Sequence, residues 1–162
     1  MIIKNFLEMP VDLEKILLTV KDLRQKGKKI VFTNGCFDII HRGHITYLKA
    51  AKELGDFLIV GLNSDNSVKR LKGHTRPVNN ENDRALILEN LKPVDAVVIF
   101  NEDTPIKLIE NIKPDFLVKG GDWNNNEIVG ADFVKSYGGN VVTIKYVDNY
   151  STTSLINRLK DI

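Results

Sequence analysis

The sequence has few of the features that define whole classes of protein. Of its 162 residues only Cys36 is a cysteine, which excludes an internal disulfide framework and is typical of a reducing compartment. No apolar stretch approaches the roughly 20 residues that a membrane-spanning helix needs, and the first residues lack the apolar core of a secretory signal. The formal net charge of +2 is too small to indicate binding to nucleic acid or to a membrane. We therefore expect a cytoplasmic protein that binds neither.

Two common phosphate-binding loops are missing as well. The glycine fingerprint of dinucleotide-binding folds does not follow the first apolar run, residues 30–33, and no Walker lysine loop occurs. If the chain binds phosphate groups, it uses another arrangement of donors.

What the sequence does contain is a regular alternation of apolar runs and amphipathic segments. Helical spacing of apolar residues predicts a helix over residues 11–26 that ends at Gly27. Strand-like runs follow at 30–33, 57–62, 96–100, 116–118 and 141–144, with helical patterns at 43–54, 80–90, 105–111, 129–137 and 152–159. This alternation predicts an α/β fold, a single Rossmann-like domain with a five-stranded parallel sheet and helices on both faces. The domain covers residues 1–162, with 1–27 as a helical extension packed on it.

The segment between the first predicted strand and the next helix holds two of the three histidines. It contains the candidate ligand-binding residues Asn34, Gly35, Cys36, Phe37, Asp38, His41, Gly43 and His44. Ligands of parallel sheets bind beyond the carboxyl ends of the strands, and a helix start there presents unpaired N–H groups to an anion. Either imidazole could donate a hydrogen bond to a phosphate oxygen and, as imidazolium, offset the charge that develops during displacement. The segment therefore predicts a site of phosphoryl or nucleotidyl transfer.

Three other interpretations of this segment stay open from the residues alone. The histidines could cap the helix or hydrogen-bond each other. Cys36, His41 and His44 could bind structural zinc, although a fourth ligand is missing from the segment. Cys36 could also act as a nucleophile paired with a histidine. We favour the phosphate site. In this interpretation the protein binds no metal, and Cys36 contributes its backbone N–H rather than its sulfur.

Three further segments follow predicted strands or open the last helix. Lys72 and Arg76 lie in a basic stretch, residues 70–77, which we expect to be a loop able to clamp a triphosphate or a phosphorylated substrate. Lys119, Gly120, Gly121 and Asp122 follow a short strand, where the glycines let backbone lie against a base or a sugar. Ser151, Thr152 and Thr153 could cap the last helix and also bind phosphate at its N-terminus.

These motifs together resemble a known enzyme family. His41-Arg42-Gly43-His44 and Ser151-Thr152-Thr153 are similar to the paired motifs of the nucleotidyltransferase superfamily with a His-x-Gly-His signature. More narrowly, the stretches 34–38, 60–65, 70–73, 76–79, 117–122 and 150–153 resemble the adenylyltransferases that make ADP-heptose from heptose 1-phosphate and ATP. The resemblance extends over residues 29–159.

The resemblance implies direct attack of a sugar phosphate oxygen on the α-phosphorus of ATP, without a covalent enzyme intermediate. It implies that His41, His44 and Lys72 are catalytic, and that nucleotide and phosphate groups are bound by Asn34, Gly35, Cys36, Phe37, Gly43, Lys119, Gly120, Gly121, Asp122, Ser151, Thr152 and Thr153. Asp38 and Arg76 are candidates for substrate binding. The expected partners are ATP with Mg²⁺ and a sugar phosphate, and the family favours a homodimer.

Two alternatives to this function stay open. The first is glycerol-3-phosphate cytidylyltransferase, a related family that uses CTP and has an arginine shortly before the Ser-Thr-Thr motif. The chain has the residues Tyr146-Val147-Asp148-Asn149-Tyr150 at that place, which disfavours this assignment. The second is a nucleotide-binding regulator without turnover, which the retained histidines and lysine disfavour.

Overall fold

A computed structural model of the chain describes residues 12–121, 127–145 and 151–160. Their elements follow in the order α1 (Leu13–Gln25), β1 (Ile30–Gly35), α2 (Arg42–Lys52), β2 (Phe57–Asn63), α3 (Asp65–Lys72), α4 (Glu81–Glu89), β3 (Ala96–Phe100), α5 (Ile106–Ile112), β4 (Phe116–Gly120), α6 (Ala131–Ser136), β5 (Asn140–Ile144) and α7 (Thr152–Lys160). Within these ranges no helix combines the length and the hydrophobicity needed to cross a bilayer.

The five strands form one sheet in the order β3-β2-β1-β4-β5, and all neighbouring strands are parallel. Ile30, Val31 and Phe32 of the central strand β1 are 0% exposed, as expected for an apolar run that is covered on both faces. One face packs against α1, α5 and α6, and the other against α2 and α4. The predicted fold class is confirmed. The strand order reverses between β1 and β4, so a crevice opens where their carboxyl ends diverge.

At the amino ends of the strands, aspartates bind the backbone of neighbouring strands. Asp115 accepts a hydrogen bond from the N–H of Ile30 at 2.9 Å, and Asp95 accepts one from the N–H of Leu58 at 2.7 Å. Asp56 accepts a hydrogen bond from the N–H of Lys29, the residue before β1. These carboxylates bind the backbone N–H groups at the starts of the strands, so the polar residues at this edge of the sheet stabilise the fold.

The basic stretch 70–77 differs from its prediction as a loop, because its first three residues belong to α3. The sequence pattern missed this helix because it buries only one apolar side chain, Val68, and therefore shows no apolar periodicity. A local signal existed, since the hydroxyl of Ser64 caps α3 by accepting from the N–H of Ser67 at 3.1 Å. Lys72 is thus the last residue of a helix. The other predicted elements agree with the observed ones to within a few residues.

Helix α4 carries an arginine, Arg84, that is 0% exposed. Its Nη1 donates to the carbonyls of Cys36 at 2.6 Å and Asn63 at 2.9 Å, and its Nε donates to the carbonyl of Asn79 at 3.0 Å. Its Nη2 donates to the carboxylate of Asp65 at 2.8 Å. One guanidinium thereby joins the segments that follow β1, β2 and α3. No sequence motif marks this arginine for such a role.

Replacing Arg84 should therefore strongly destabilise the protein. We expect Arg84→Met to lower the free energy of unfolding by about 3 kcal/mol or more, because it leaves three carbonyls without their donor and Asp65 without its cation. Urea unfolding followed by circular dichroism measures this change. The matched control is Arg158→Met on the exposed surface of α7, which should change stability by about 0.5 kcal/mol or less. Equal effects in the two variants would contradict the role given to Arg84.

Candidate active site

A cavity of about 1010 Å³ lies at the carboxyl ends of β1 and β4. It is large enough for a nucleotide and a second small substrate together. Most of the residues that the sequence singled out line it: Asn34, Gly35, Cys36, Phe37, Asp38, His41, His44, Lys72, Arg76, Lys119, Gly120, Ser151, Thr152 and Thr153. Residues from four separate segments of the chain thus line one cavity, although their individual roles stay predictions.

The two imidazoles lie at the start of α2. His41 is the N-cap residue but makes no side-chain capping bond, and its ring stacks on that of His44 with centroids 3.9 Å apart and planes 22° apart. In both histidines Nδ1 is buried and has no hydrogen-bond partner among the described residues. The rings therefore neither cap the helix nor bond each other. Buried polar atoms in this state are what a ligand with acceptor or donor groups would satisfy.

The surroundings of this pair set the charge state of the rings in the ligand-free site. Burial, followed by the proximity of His41, lowers the pKa of His44 to about 4, and a contact with the Ile39 carbonyl opposes this only weakly. Burial also lowers the pKa of His41. In the ligand-free site both rings are therefore neutral at pH 7. A neutral imidazole still donates one hydrogen bond to a phosphate oxygen.

The turn between β1 and α2 has a special backbone. Phe37 has a φ of 42°, in the left-handed region that non-glycine residues rarely adopt, and its ring lies 5.2 Å from that of His44. A Cβ on Gly35 would lie 3.0 Å from the Phe37 ring, so only glycine fits there without displacement. The ring thus supports His44 from the side of the turn.

One turn along α2, Tyr47 fixes the helix to the sheet. Its hydroxyl lies 2.5 Å from Oγ1 of Thr33 and donates to the carbonyl of Val118 at 3.1 Å. Because Thr33 belongs to β1 and Val118 to β4, this buried group spans the two strands that border the crevice. The position of the histidines therefore depends on both strands.

Asp38 is buried, and its carboxylate is occupied by three donors. Oδ1 accepts from the N–H groups of Val78 at 2.8 Å and Asn79 at 3.0 Å, and Oδ2 accepts from Nε of Arg76 at 2.6 Å. Burial alone would raise the pKa of Asp38, but the two backbone N–H groups and the guanidinium outweigh it and hold that pKa below its ordinary value. Asp38 is thus an ionised anchor for residues 76–79.

Lys119 is a cation without a carboxylate partner in the part of the chain that the structure describes. Its ammonium donates to Oδ1 of Asn34 at 3.1 Å, and burial lowers its pKa. Nearby, burial raises the pKa of the Cys36 thiol against the opposing influence of Lys72, Arg84 and Arg76. A thiol that stays protonated is a poor nucleophile, so the geometry favours the backbone role of Cys36.

The last helix brings a second helix start to the cavity. The hydroxyl of Ser151 accepts from the N–H of Ser154 at 3.0 Å, so Ser151 caps α7 as its type predicts. The hydroxyl of Thr152 lies 3.4 Å from the Ile39 carbonyl, which links α7 to the loop before α2. Capping accounts for Ser151, while Thr153 and the free N–H groups of the first turn remain available to an anion.

Two of the predicted site residues that the structure describes do not line the cavity, and a third lies outside the described residues. Gly43 is buried within α2, Gly121 lies beyond the lining, and Asp122 lies outside the described residues. Conversely, the wall includes residues to which the sequence analysis gave no role, namely Tyr47, Leu71, Thr104, Pro105, Glu127, Ile128 and Val129. Neither a motif nor spacing marks them, since they lie on or just before α2, α3, α5 and α6 and reach the cavity only through the packing of these helices. The described residues contain no cluster of three or more His, Cys, Asp or Glu side chains placed to share a metal ion.

Comparisons with known proteins agree with this geometry. Residues 32–158 match the model of the cytidylyltransferase-like family. The chain is 57% identical over 149 residues, 92% of its length, to the bifunctional protein HldE of Nitratiruptor sp.. It is 60% identical over 140 residues, 86% of its length, to the bifunctional protein HldE of Campylobacter concisus. The chain spans 31% and 29% of these two relatives.

A solved structure gives a match over its whole length. The lipopolysaccharide core biosynthesis protein from Thermoplasma volcanium is 33% identical, with a TM-score of 0.60, and the alignment covers 77% of this chain and 100% of that one. Residues 32–158, which the family model matches, include both histidines. The chain therefore belongs to the cytidylyltransferase-like family of nucleotidyltransferases.

Proposed function

We propose that the chain transfers AMP from ATP to heptose 1-phosphate, giving ADP-heptose and pyrophosphate. The observation that carries this proposal is the stacked pair of His41 and His44, with unsatisfied Nδ1 atoms, at the start of α2 on a cavity that the start of α7 and three cations also line. The similarity of the chain to the bifunctional protein HldE and to a lipopolysaccharide core biosynthesis protein supports a sugar phosphate as the acceptor.

In this proposal catalysis rests on position and on hydrogen bonding. The reacting phosphorus lies over the start of α2, where His41 and His44 donate hydrogen bonds to its oxygens and to the departing pyrophosphate. Lys72, the backbone of Cys36 and Phe37 and the start of α7 bind further phosphate oxygens. Lys119 supplies a positive charge on the cavity floor. Because the acceptor phosphate is itself the nucleophile and is already ionised at pH 7, the protein needs no general base.

ATP enters as its magnesium complex. The buried carboxylate of Asp38 is already occupied by three donors, and that of Asp103 pairs with Arg70, so the described residues offer no dedicated cage of oxygen ligands. This fits a cation that is held by the nucleotide phosphates and by water, as Mg²⁺ commonly is. The expectation of a cytoplasmic homodimer stays a prediction.

A substrate panel tests the function directly. Pyrophosphate release is measured with ATP or CTP, each against heptose 1-phosphate, glycerol 3-phosphate and phosphoethanolamine. We expect turnover with ATP and heptose 1-phosphate. Turnover with CTP and glycerol 3-phosphate alone would replace the proposal with the cytidylyltransferase alternative, and nucleotide binding without any turnover would indicate a regulator.

Removing one imidazole should affect the rate far more than folding. We expect His44→Ala to lower kcat by about 100- to 1,000-fold, the usual effect of deleting one donor to a transition state. The matched control is His74→Ala, because His74 is exposed and lies outside the cavity lining. With circular dichroism confirming the fold, near-normal turnover in His44→Ala would contradict the role assigned to this residue.

The neutrality of His44 is tested by nuclear magnetic resonance titration of the histidine ring protons. In the free protein we expect the His44 signal, assigned with His44→Asn, to titrate near pH 4. Because the pKa of His44 is lower in the folded than in the unfolded state, protonation of His44 favours the unfolded chain. The free energy of unfolding therefore decreases as the pH falls from about 6.5 towards 4. A midpoint above pH 6 would restore the imidazolium mechanism.

A further inference from the structure

Arg76 is held through one nitrogen of its guanidinium, and the other two nitrogens have donors to offer. Nε is bound to Asp38 at 2.6 Å, whereas neither Nη atom donates a hydrogen bond within the described residues. Both side chains line the cavity, and the exposed fraction is 18% for Arg76 and 1% for Asp38. A guanidinium fixed in this way presents two parallel donors in a rigid plane, the geometry that binds a phosphate oxygen pair.

Anchoring the loop does not require the arginine. The N–H groups of Val78 and Asn79 already bind the Asp38 carboxylate, and the Asn79 side-chain amide donates to the Asp38 carbonyl at 2.9 Å. Arg84 holds the carbonyl of Asn79 from the other side. Arg76 is the member of this network that reaches the cavity with unused donors, so a ligand accounts for it better than loop stability does.

The order of the strands places the cations on two sides of the histidines. Because the sheet runs β2-β1-β4-β5, Lys72 and Arg76 lie on the β2 side of the turn that carries His41 and His44. Lys119 lies on the other side of that turn, on β4, and the start of α7 reaches the loop before α2, where the Thr152 hydroxyl lies 3.4 Å from the Ile39 carbonyl. An in-line displacement needs the attacking oxygen and the leaving group on opposite sides of the phosphorus. Two separate groups of donors meet that need.

The two groups of donors suit different phosphate groups. The start of α7 offers backbone N–H groups and Lys119 offers a buried ammonium to the same cavity, and both match the chain of charged oxygens in pyrophosphate. The Asp38–Arg76 pair has little net charge but a directional fork, which matches a single terminal phosphate. Beyond it towards β3, the cavity wall carries Asp103 and Thr104, whose oxygens suit sugar hydroxyls rather than phosphates.

We propose that Arg76, oriented by Asp38, binds the phosphate of the acceptor sugar phosphate and aligns its oxygen for attack. This inference rests on the proposed transfer to a sugar phosphate. Asp38 acts through Arg76 and is a positioning residue, whereas Arg76 contacts the substrate.

The test separates the two substrates by kinetics. KM for heptose 1-phosphate is measured at saturating ATP, and KM for ATP at saturating heptose 1-phosphate, in the wild type, Arg76→Gln and Arg76→Lys. We expect Arg76→Gln to raise KM for heptose 1-phosphate by about 10- to 100-fold, the loss of a charge-assisted pair of hydrogen bonds. KM for ATP and calorimetric binding of ATP should change by less than about threefold. Arg76→Lys, which keeps the charge but lacks the fork, should fall in between.

Arg158→Gln is the matched control, because this arginine is exposed on α7 away from the cavity lining. If Arg76→Gln does not fold, Arg76→Lys decides, since it keeps a cation beside Asp38; wild-type affinity for heptose 1-phosphate in that variant overturns the inference. A change in ATP affinity, an equal change in both KM values or a loss confined to kcat also overturns it. These results leave the proposed function standing, whereas absence of turnover in the wild type with every sugar phosphate refutes the function itself.

Discussion

The four hydrogen bonds of the buried Arg84 hold together the edge of the sheet on which the candidate site is built. Through Cys36 the guanidinium fixes the turn that leads to the histidines, and through Asn79 it fixes the loop that carries Arg76. A charge in the protein interior is tolerated only when its hydrogen bonds are satisfied, so each of these segments must adopt one arrangement for the arginine to stay buried. The geometry of the site is therefore coupled to the stability of the domain.

The two ends of the parallel strands use polar groups in opposite ways. At the amino ends, Asp56, Asp95 and Asp115 pair with backbone N–H groups and leave few donors unused. At the carboxyl ends, donors are left unpaired within the described residues, among them the Nη groups of Arg76. These donors face a cavity, so a phosphate ligand can accept the hydrogen bonds that the protein leaves unmade. This asymmetry is what distinguishes the functional edge from the structural one.

Stacking and burial give the histidine pair its chemistry. Two imidazolium rings 3.9 Å apart would repel each other, and the partly closed site removes the water that would screen them. The free site consequently holds two neutral rings and draws its positive charge from Lys72 and Lys119, because the Asp38 carboxylate offsets the charge of Arg76. Such a site orients phosphate oxygens by directed hydrogen bonds, while the more distant cations balance the charge of the substrates.

The sequence alone determined the fold class and the main motifs, because apolar periodicity and the residues that follow each strand are local properties of the chain. His41, His44 and the Ser151–Thr153 segment could be found in this way, and the structure places them on one cavity. Helix α3 could not, since it buries a single apolar side chain and leaves no periodic pattern. Arg84 could not either, because a mid-helix arginine is usually a surface residue and only its partners, 5 to 48 positions away, show that it is buried. Likewise, the neutral state of the imidazoles and the clamping of Arg76 by Asp38 arise from burial and from contacts between distant segments, which only the tertiary structure decides.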